Sequence, residues 1–215
     1  MPARVVCLAN SFKEGGRCLA GIVIDANNNP VFENGRRKWI RPVCNTAHGE
    51  IHTDLVSHIN LLDIIEIEIT GQAKKGYQSE NVWFDEKSIK VAGTFPKEHL
   101  NKFCEDRPTL FGNRGKAVSE ENIGNLTYSL LFAKTNQFEV IAKTYEDTPD
   151  KKQVRLVFTY NSSQYDFPIT DPDFLKKYRA KPDFINGVKE IFLTTSLGIS
   201  WQNWYYKLVA GIIFP

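Results

Sequence analysis

The sequence predicts a mainly β protein built from two small barrels with a few short helices. Three observations carry that expectation. Apolar residues recur at every second position in many short segments, the pattern of strands with one buried face. Gly, Pro and Asn punctuate the chain at short intervals, and helix-start signals are few. The 215 residues also fall into two halves of similar style around a stretch rich in Gly, Asn and charge at 109–125, which suits two units, 1–115 and 116–215.

In the first half, 4–9 is a short apolar run that fits a buried strand, and 19–24 reads as a second. Lys13-Glu14-Gly15-Gly16-Arg17 turns the chain between them, and Asn27-Asn28-Asn29-Pro30 marks a further turn. A third strand is expected at 38–43. Pro42 has no N–H to give to a ladder, which places that strand at a sheet edge. In 62–70, Ile65, Ile67 and Ile69 face one way and Glu66 and Glu68 the other, while Leu62 and Ile64 have the opposite phase. A β-bulge at Ile64-Ile65 would absorb the slip and bend the strand as a small barrel requires. Residues 96–104 read as a short helix.

In the second half, 127–133, 138–145 and 154–160 suit strands. Val154, Leu156, Phe158 and Tyr160 share one face of the last. Asn161-Ser162-Ser163 is a hairpin loop leading into 164–169. Asp171-Pro172 is a cap followed by a first-turn proline, so a helix is expected from there to about Tyr178. Segments 189–196 and 204–213 complete the strands.

The composition is that of a globular protein with a sizeable core, at 42% hydrophobic and 24% charged residues. A net charge of only +2 means that any nucleic-acid site must be a local patch rather than a whole-protein field. The four cysteines, at 7, 18, 44 and 104, form no C-x-x-C pair, which excludes a zinc ribbon or a thioredoxin motif. No secretory leader and no membrane-length apolar stretch is visible. These features suit a reduced, cytoplasmic protein with free thiols, no membrane association, no metal and no cofactor.

Arg36-Arg37-Lys38-Trp39-Ile40-Arg41-Pro42 gathers four cations around one indole. Strand parity puts Arg37, Trp39 and Arg41 on one face and Arg36 and Lys38 on the other. A face of that kind can stack a base on the indole and hold phosphates with guanidinium groups. The same residues also fit a solvated hairpin edge, or a core Trp39 with Arg41 paired to Glu66 or Glu68. Lys13 and Arg17 flank two glycines whose backbone N–H groups can approach an anion, although an ordinary hairpin turn explains them equally. Neither this turn nor Gly112-Asn113-Arg114-Gly115-Lys116 has P-loop spacing. Tyr77-Gln78-Ser79-Glu80-Asn81-Val82-Trp83 carries amides and aromatics that could read a base or sugar, or pack in a core. Near the C-terminus, Trp204, Tyr206 and Leu208 share one face and Tyr205, Lys207 and Val209 the other. Tyr205 with Lys207 is the candidate outer stacking pair.

His48 and His52 are four apart, but Gly49 disfavours a helix and Glu50 is misplaced for an H-E-x-x-H site, so a polar surface loop is expected. Cys7 and Cys18 can meet across adjacent strands, with no histidine near them in sequence to serve as base. An enzyme acting on a nucleotide or small molecule through these thiols or a histidine therefore has no legible base–nucleophile pair.

Several motifs in order resemble one family. They are Val6-Cys7-Leu8-Ala9-Asn10-Ser11, Gly16-Arg17-Cys18-Leu19-Ala20-Gly21, Trp39-Ile40-Arg41-Pro42-Val43, Leu62-Asp63-Ile64-Ile65-Glu66 and Tyr77-Gln78-Ser79-Glu80-Asn81. Tyr160-Asn161, Tyr165-Asp166-Phe167-Pro168-Ile169-Thr170-Asp171 and Tyr206-Lys207-Leu208-Val209-Ala210-Gly211-Ile212 follow. Together they resemble the bacterial dual OB-containing domain family. The resemblance implies two OB-like barrels and a nucleic-acid-binding role, with no catalytic residues to carry over. The functional expectation is a non-catalytic protein binding single-stranded nucleic acid through Lys13, Arg17, Arg37, Trp39, Arg41, Tyr205 and Lys207. The alternative is a protein-interaction or scaffold module.

Overall fold

The computed structural model describes residues 2–145 and 148–215. Its first half begins with β1 (Ala3–Lys13) and β2 (Gly16–Val23), an antiparallel hairpin. The two-residue turn is Glu14–Gly15, at φ 42° and 83°. Two successive left-handed residues give the turn a twist that matches the strands. A ribbon of β3 (Phe32–Glu33) and β4 (Arg36–Arg37) leads into β5 (Trp39–Pro42). The short helix α1 (Thr53–Val56) precedes β6 (Asp63–Ile67), β7 (Ile69–Gln72) and β8 (Asn81–Phe84).

Pairing closes these strands into a ring. β1 pairs with β2, β2 with β5, β5 in parallel with β8, and β8 with β7. Glu68 alone separates β7 from β6, which pairs back onto β1. The outer edge of β6 carries β9 (Lys90–Thr94).

The second half repeats the ring. β11 (Leu130–Thr135) and β12 (Phe138–Tyr145) are one strand interrupted at 136–137. β12 pairs with β13 (Thr148–Tyr160), and β13 with β14 (Ser163–Pro168). A parallel bridge from Ile169 to Val209 joins the end of β14 to β16 (Trp204–Ile213). β16 pairs with β15 (Ile191–Trp201), which pairs back onto β11. Helix α3 (Pro172–Ala180) occupies the position of α1, between the third and fourth strands of its ring. Asp171 caps α3 by accepting from the N–H groups of Asp173 and Phe174, and its other oxygen accepts from Ile212 N. Between the barrels run a 3₁₀ helix at Lys97–Phe103, β10 (Ala117–Ser119) and α2 (Glu120–Ile123). β10 pairs with β16. The expected two OB-like barrels are present, in the order of a five-stranded Greek-key barrel.

Each barrel has its own core. The first holds Val5, Cys7, Leu19, Ile40, Ile65 and Ile67 among others. The second holds Leu156, Phe158, Tyr160, Tyr165, Phe167 and Leu193, joined by Leu110 and Phe111 from the connecting segment. A third core lies between the barrels. There Val6, Leu8, Ile22, Trp39, Leu62 and Ile64 of the first meet Leu130, Phe132, Phe192 and Ile213 of the second.

This third core corrects two expectations. Leu62 and Ile64 face the second barrel while Ile65 and Ile67 face the interior of the first, so both faces of β6 are buried. The change of hydrophobic phase therefore marks two cores. A register shift does fall at Ile64/Ile65 against β9, but Ile64 pairs with Gly93 and Ile65 with Val91, so the extra residue is Ala92 of β9. β5 is no edge strand either, since it lies between β2 and β8. Pro42 is tolerated because the β8 side is served by the N–H groups of Arg41 and Val43, which donate to Glu80 O and Val82 O. The partner of β2 beyond Gly21 has by then become Ile51.

Candidate nucleic-acid interface

The segment from Arg36 to Arg41 passes from the surface into the inter-barrel core. β4 is half-buried and turns back on β3 through Asn34 and Gly35, at φ 51° and 74°. Arg37 donates from Nε and Nη2 to the Lys102 carbonyl at 2.9 and 2.8 Å and sits 5.4 Å over the Phe32 ring. Lys38 pairs with Glu33 at 3.0 Å. Arg36 reaches Glu105 at 3.4 Å, and its guanidinium carbon lies 4.0 Å over the ring of Tyr128. Glu105 is buried and also accepts from Trp39 Nε1 at 2.8 Å.

Trp39 and Arg41 share a face, as their parity predicts. That face meets the second barrel rather than water. Arg41 is 1% exposed. Its Nη2 donates to Ser129 Oγ at 2.8 Å and Ser196 Oγ at 3.4 Å and lies 3.4 Å from Glu80 Oε1. Its Nη1 donates to Asn81 Oδ1 at 3.3 Å. Glu80 Oε1 also accepts from the N–H and the hydroxyl of Ser129. Arg41 thus joins β5 to the β7–β8 loop and β8, and to the second barrel at Ser129, just before β11, and at Ser196 on β15. The exposed Arg-Trp-Arg row is absent because the partner barrel covers it.

Lys13 and Arg17 stand apart, at the β1–β2 turn. Arg17 donates to Asn10 O at 3.0 Å and sits 4.9 Å over Phe12. Burial, the largest influence, pulls the Lys13 ammonium below its usual range. The cations of Arg41 and Lys75 add to that effect, while Cys18 and Glu50 oppose it.

The C-terminal pair also points inward. Tyr205 meets Tyr77 edge to face at 4.9 Å. Lys207 is fully buried, and its ammonium donates to Leu110 O, Asn113 O and Asn113 Oδ1 at 2.7–2.8 Å. The exposed face of β16 is the opposite one. Trp204 and Tyr206 are 46% and 37% exposed, and Trp201, the cross-strand partner of Trp204, is 66% exposed.

A cleft of about 200 Å³ opens where the barrels meet. Arg36, Arg37 and Lys38 form one side, Lys74, Ser79 and Glu80 of the β7–β8 loop another, and Thr127 and Tyr128 a third. Four of its lining residues are cationic against two carboxylates, Glu33 and Glu80. Sequence reasoning had singled out the Tyr77–Trp83 stretch but not Lys74 or Tyr128. Those two lie far from Arg37 in the chain, and only the closure of the barrels brings them to it.

Three of the four thiols are held in their protonated form. Burial pushes the Cys7 thiol far above its ordinary range and Cys104 to about 11, the reverse of what a nucleophile needs. Burial also raises Cys44, to about 12. His48 and His52 are exposed, and His52 lies 3.6 Å from Asp54. Among the described residues no three His, Cys, Asp or Glu side chains converge as metal ligands would, and no helix is long and apolar enough to cross a membrane.

Two five-stranded barrels fused through a shared core, with a basic cleft at the seam, define a tandem OB-fold protein. The chain belongs to the dual OB-containing domain family, whose family model matches residues 3–212. Among solved structures it is similar to the p204 HINb domain, at 10% identity and a TM-score of 0.35 over 97% of this chain and 96% of that one. It is also similar to a murine DNA-binding protein bound to double-stranded DNA, at 10% identity and a TM-score of 0.37 over 100% of this chain and 97% of that one. No curated protein sequence matches it.

Proposed function

We propose that the protein binds single-stranded nucleic acid without catalysis, at the inter-barrel cleft. The carrying observation is the convergence of Arg36, Arg37, Lys38 and Lys74 on one cleft of a protein whose net charge is only +2. Local cation density of this kind attracts phosphates where the overall field does not. Arg37 and Lys74 contact the backbone directly. Trp39 and Arg41 act from beneath, by holding β5 and the β7–β8 loop in place. Lys75, next to Lys74, carries the basic track toward Lys13 and Arg17 at the β1–β2 turn. Tyr205 supports the seam through Tyr77, and Lys207 holds the connecting segment onto the second barrel. The test is titration of labelled single-stranded DNA and RNA at two salt concentrations, for the wild type and Arg37→Ala. Salt-sensitive binding that weakens in the variant supports the reading; no binding at low salt refutes it.

A second reading rests on Trp201, Trp204 and Tyr206. They form an exposed aromatic patch at the tip of the β15–β16 hairpin, whose turn is Gln202–Asn203. Aromatic residues of this kind are enriched at protein interfaces. Nuclease-resistant capture of a defined partner, abolished by Trp201→Ala with nucleic-acid binding intact, would favour this interaction module.

A further inference from the structure

The β15–β16 hairpin closes on the two-residue turn Gln202–Asn203, both residues left-handed at φ 49° and 64°. Such a turn fixes the register, and Trp201 and Trp204 stand directly opposite each other on one face. Tyr206, two residues on, shares that face. Its neighbours on β10 are small: Ser119 lies opposite Trp204, and Ala117 opposite Tyr206. Side chains of that size leave the rings uncovered, and Trp201 is the most exposed large apolar side chain among the described residues. Arg114 and Lys116 lead into β10 beside Tyr206. Both are exposed, and neither is ion-paired among the described residues. The hairpin also adjoins the cleft. Tyr77 of the β7–β8 loop donates to Gly198 O at 2.8 Å and meets Tyr205 edge to face, and Lys74 belongs to the same loop. Trp201 is three residues beyond Gly198, at most about 10 Å along the strand.

We infer that Trp201, Trp204 and Tyr206 form a stacking platform for unpaired bases of the same strand whose phosphates the cleft holds. This rests on the nucleic-acid reading above and adds where the bases go. Uncovered aromatic faces take any base, because every base has a π-face. Arg114 and Lys116 offer phosphate contacts at the Tyr206 end. Glu120 and Glu121 follow Ser119, so the turn end repels phosphate and is left to the bases. A protein hot spot has different surroundings. It is ringed by side chains that shut out water, whereas this face is bordered by Ala117, Ser119, Gln202 and Asn203, all small or polar.

The test compares two labelled probes of equal length, a mixed-sequence single strand and an abasic phosphodiester strand. The wild type should bind the first about fivefold or more tighter, the scale of one stacked base. Trp201→Leu keeps an exposed apolar side chain but removes the flat ring, and Trp201→Phe keeps a ring. Trp201→Leu should lose about fivefold or more in affinity for the base-bearing strand, and Trp201→Phe should retain most of it. The abasic strand should bind all three proteins equally, a split that general loosening of the fold would not produce. Loss of affinity by Trp201→Leu on both strands alike, or on neither, overturns the inference and leaves the phosphate-binding reading standing. Loss of a defined protein partner in that same variant would then assign the patch to protein contact. Failure of the wild type to bind either strand overturns the nucleic-acid reading too.

Discussion

The carbonyl oxygen of Leu8 accepts a hydrogen bond from Thr194 Oγ1 at 2.6 Å, across the seam between the barrels. Leu8 is the extra residue where the β1–β2 register shifts between Cys7 and Ala9, so this carbonyl falls outside the regular pairing and is met by the other barrel. Gly211 approaches the same oxygen so closely that a Cβ there would lie 2.4 Å from it. The two barrels are therefore fitted backbone to backbone, which keeps the cleft walls in fixed relation.

Two substitutions test that fit. Thr194→Val keeps the shape but leaves the Leu8 carbonyl buried and unpaired, and should cost about 1–3 kcal/mol. Gly211→Ala should cost more, because the new methyl meets backbone and the strands must separate. Chemical denaturation measures both. An unchanged midpoint for Gly211→Ala would mean that the seam slides freely.

Arg41 and Glu80 form a buried pair, with side chains 2% and 4% exposed. Removing one partner strands the other charge away from water. Arg41→Met should therefore destabilise the protein by about 3–5 kcal/mol, and the double variant Arg41→Met/Glu80→Met should recover much of that loss. A double-mutant cycle on denaturation free energies gives the coupling. Additive effects would show that the two charges do not depend on each other.

The strands were legible because alternation is a local property: β12 and β16 match their expected spans residue for residue. Exposure was not legible in the same way. Alternation separates two faces of a strand but does not say whether the second face meets water or another barrel. For Trp39 and Arg41 alternation left both a binding face and a core position open, and they are in the core, with Arg41 paired to Glu80 rather than to Glu66 or Glu68. Tyr205 and Lys207, expected as an outer pair, face inward. The unbroken apolar run at 4–9 and the doubled phase of Leu62, Ile64, Ile65 and Ile67 were traces of the hidden core, and a bulge explained the second equally well. The cleft had still less signal, because Arg37, Lys74 and Tyr128 meet only through the closure of both rings.

Lys207 makes stability depend on pH. Burial pulls its ammonium down to about 7 from an ordinary 10.5. Between those values the unfolded chain binds the proton that the folded chain releases. The contribution of Lys207 to the unfolding free energy therefore rises with pH across that window and is flat below about 7, where both states are charged. Thermal or urea unfolding from pH 6 to pH 10 measures the slope. Lys207→Met should remove this component, and at pH 6 should also lose the three hydrogen bonds to Leu110 and Asn113. A variant with the wild-type slope would assign the titration to another group.

Lys74 gives the sharpest test of the cleft as a phosphate site. It is exposed on the β7–β8 loop, and no ion pair engages it among the described residues. Its removal should leave folding within about ±0.5 kcal/mol of the wild type. A lysine that neutralises one phosphate releases about 0.7 counterions from a single strand. Lys74→Ala should therefore weaken single-strand binding and lower the slope of log K against log salt by about 0.7–1. Lys90→Ala is the control, because Lys90 pairs with Glu66 on β6 and does not line the cleft. Its slope should match the wild type. Equal slopes for all three proteins would place the phosphate contacts away from the seam, with the exposed Trp201–Trp204 hairpin the next surface to probe.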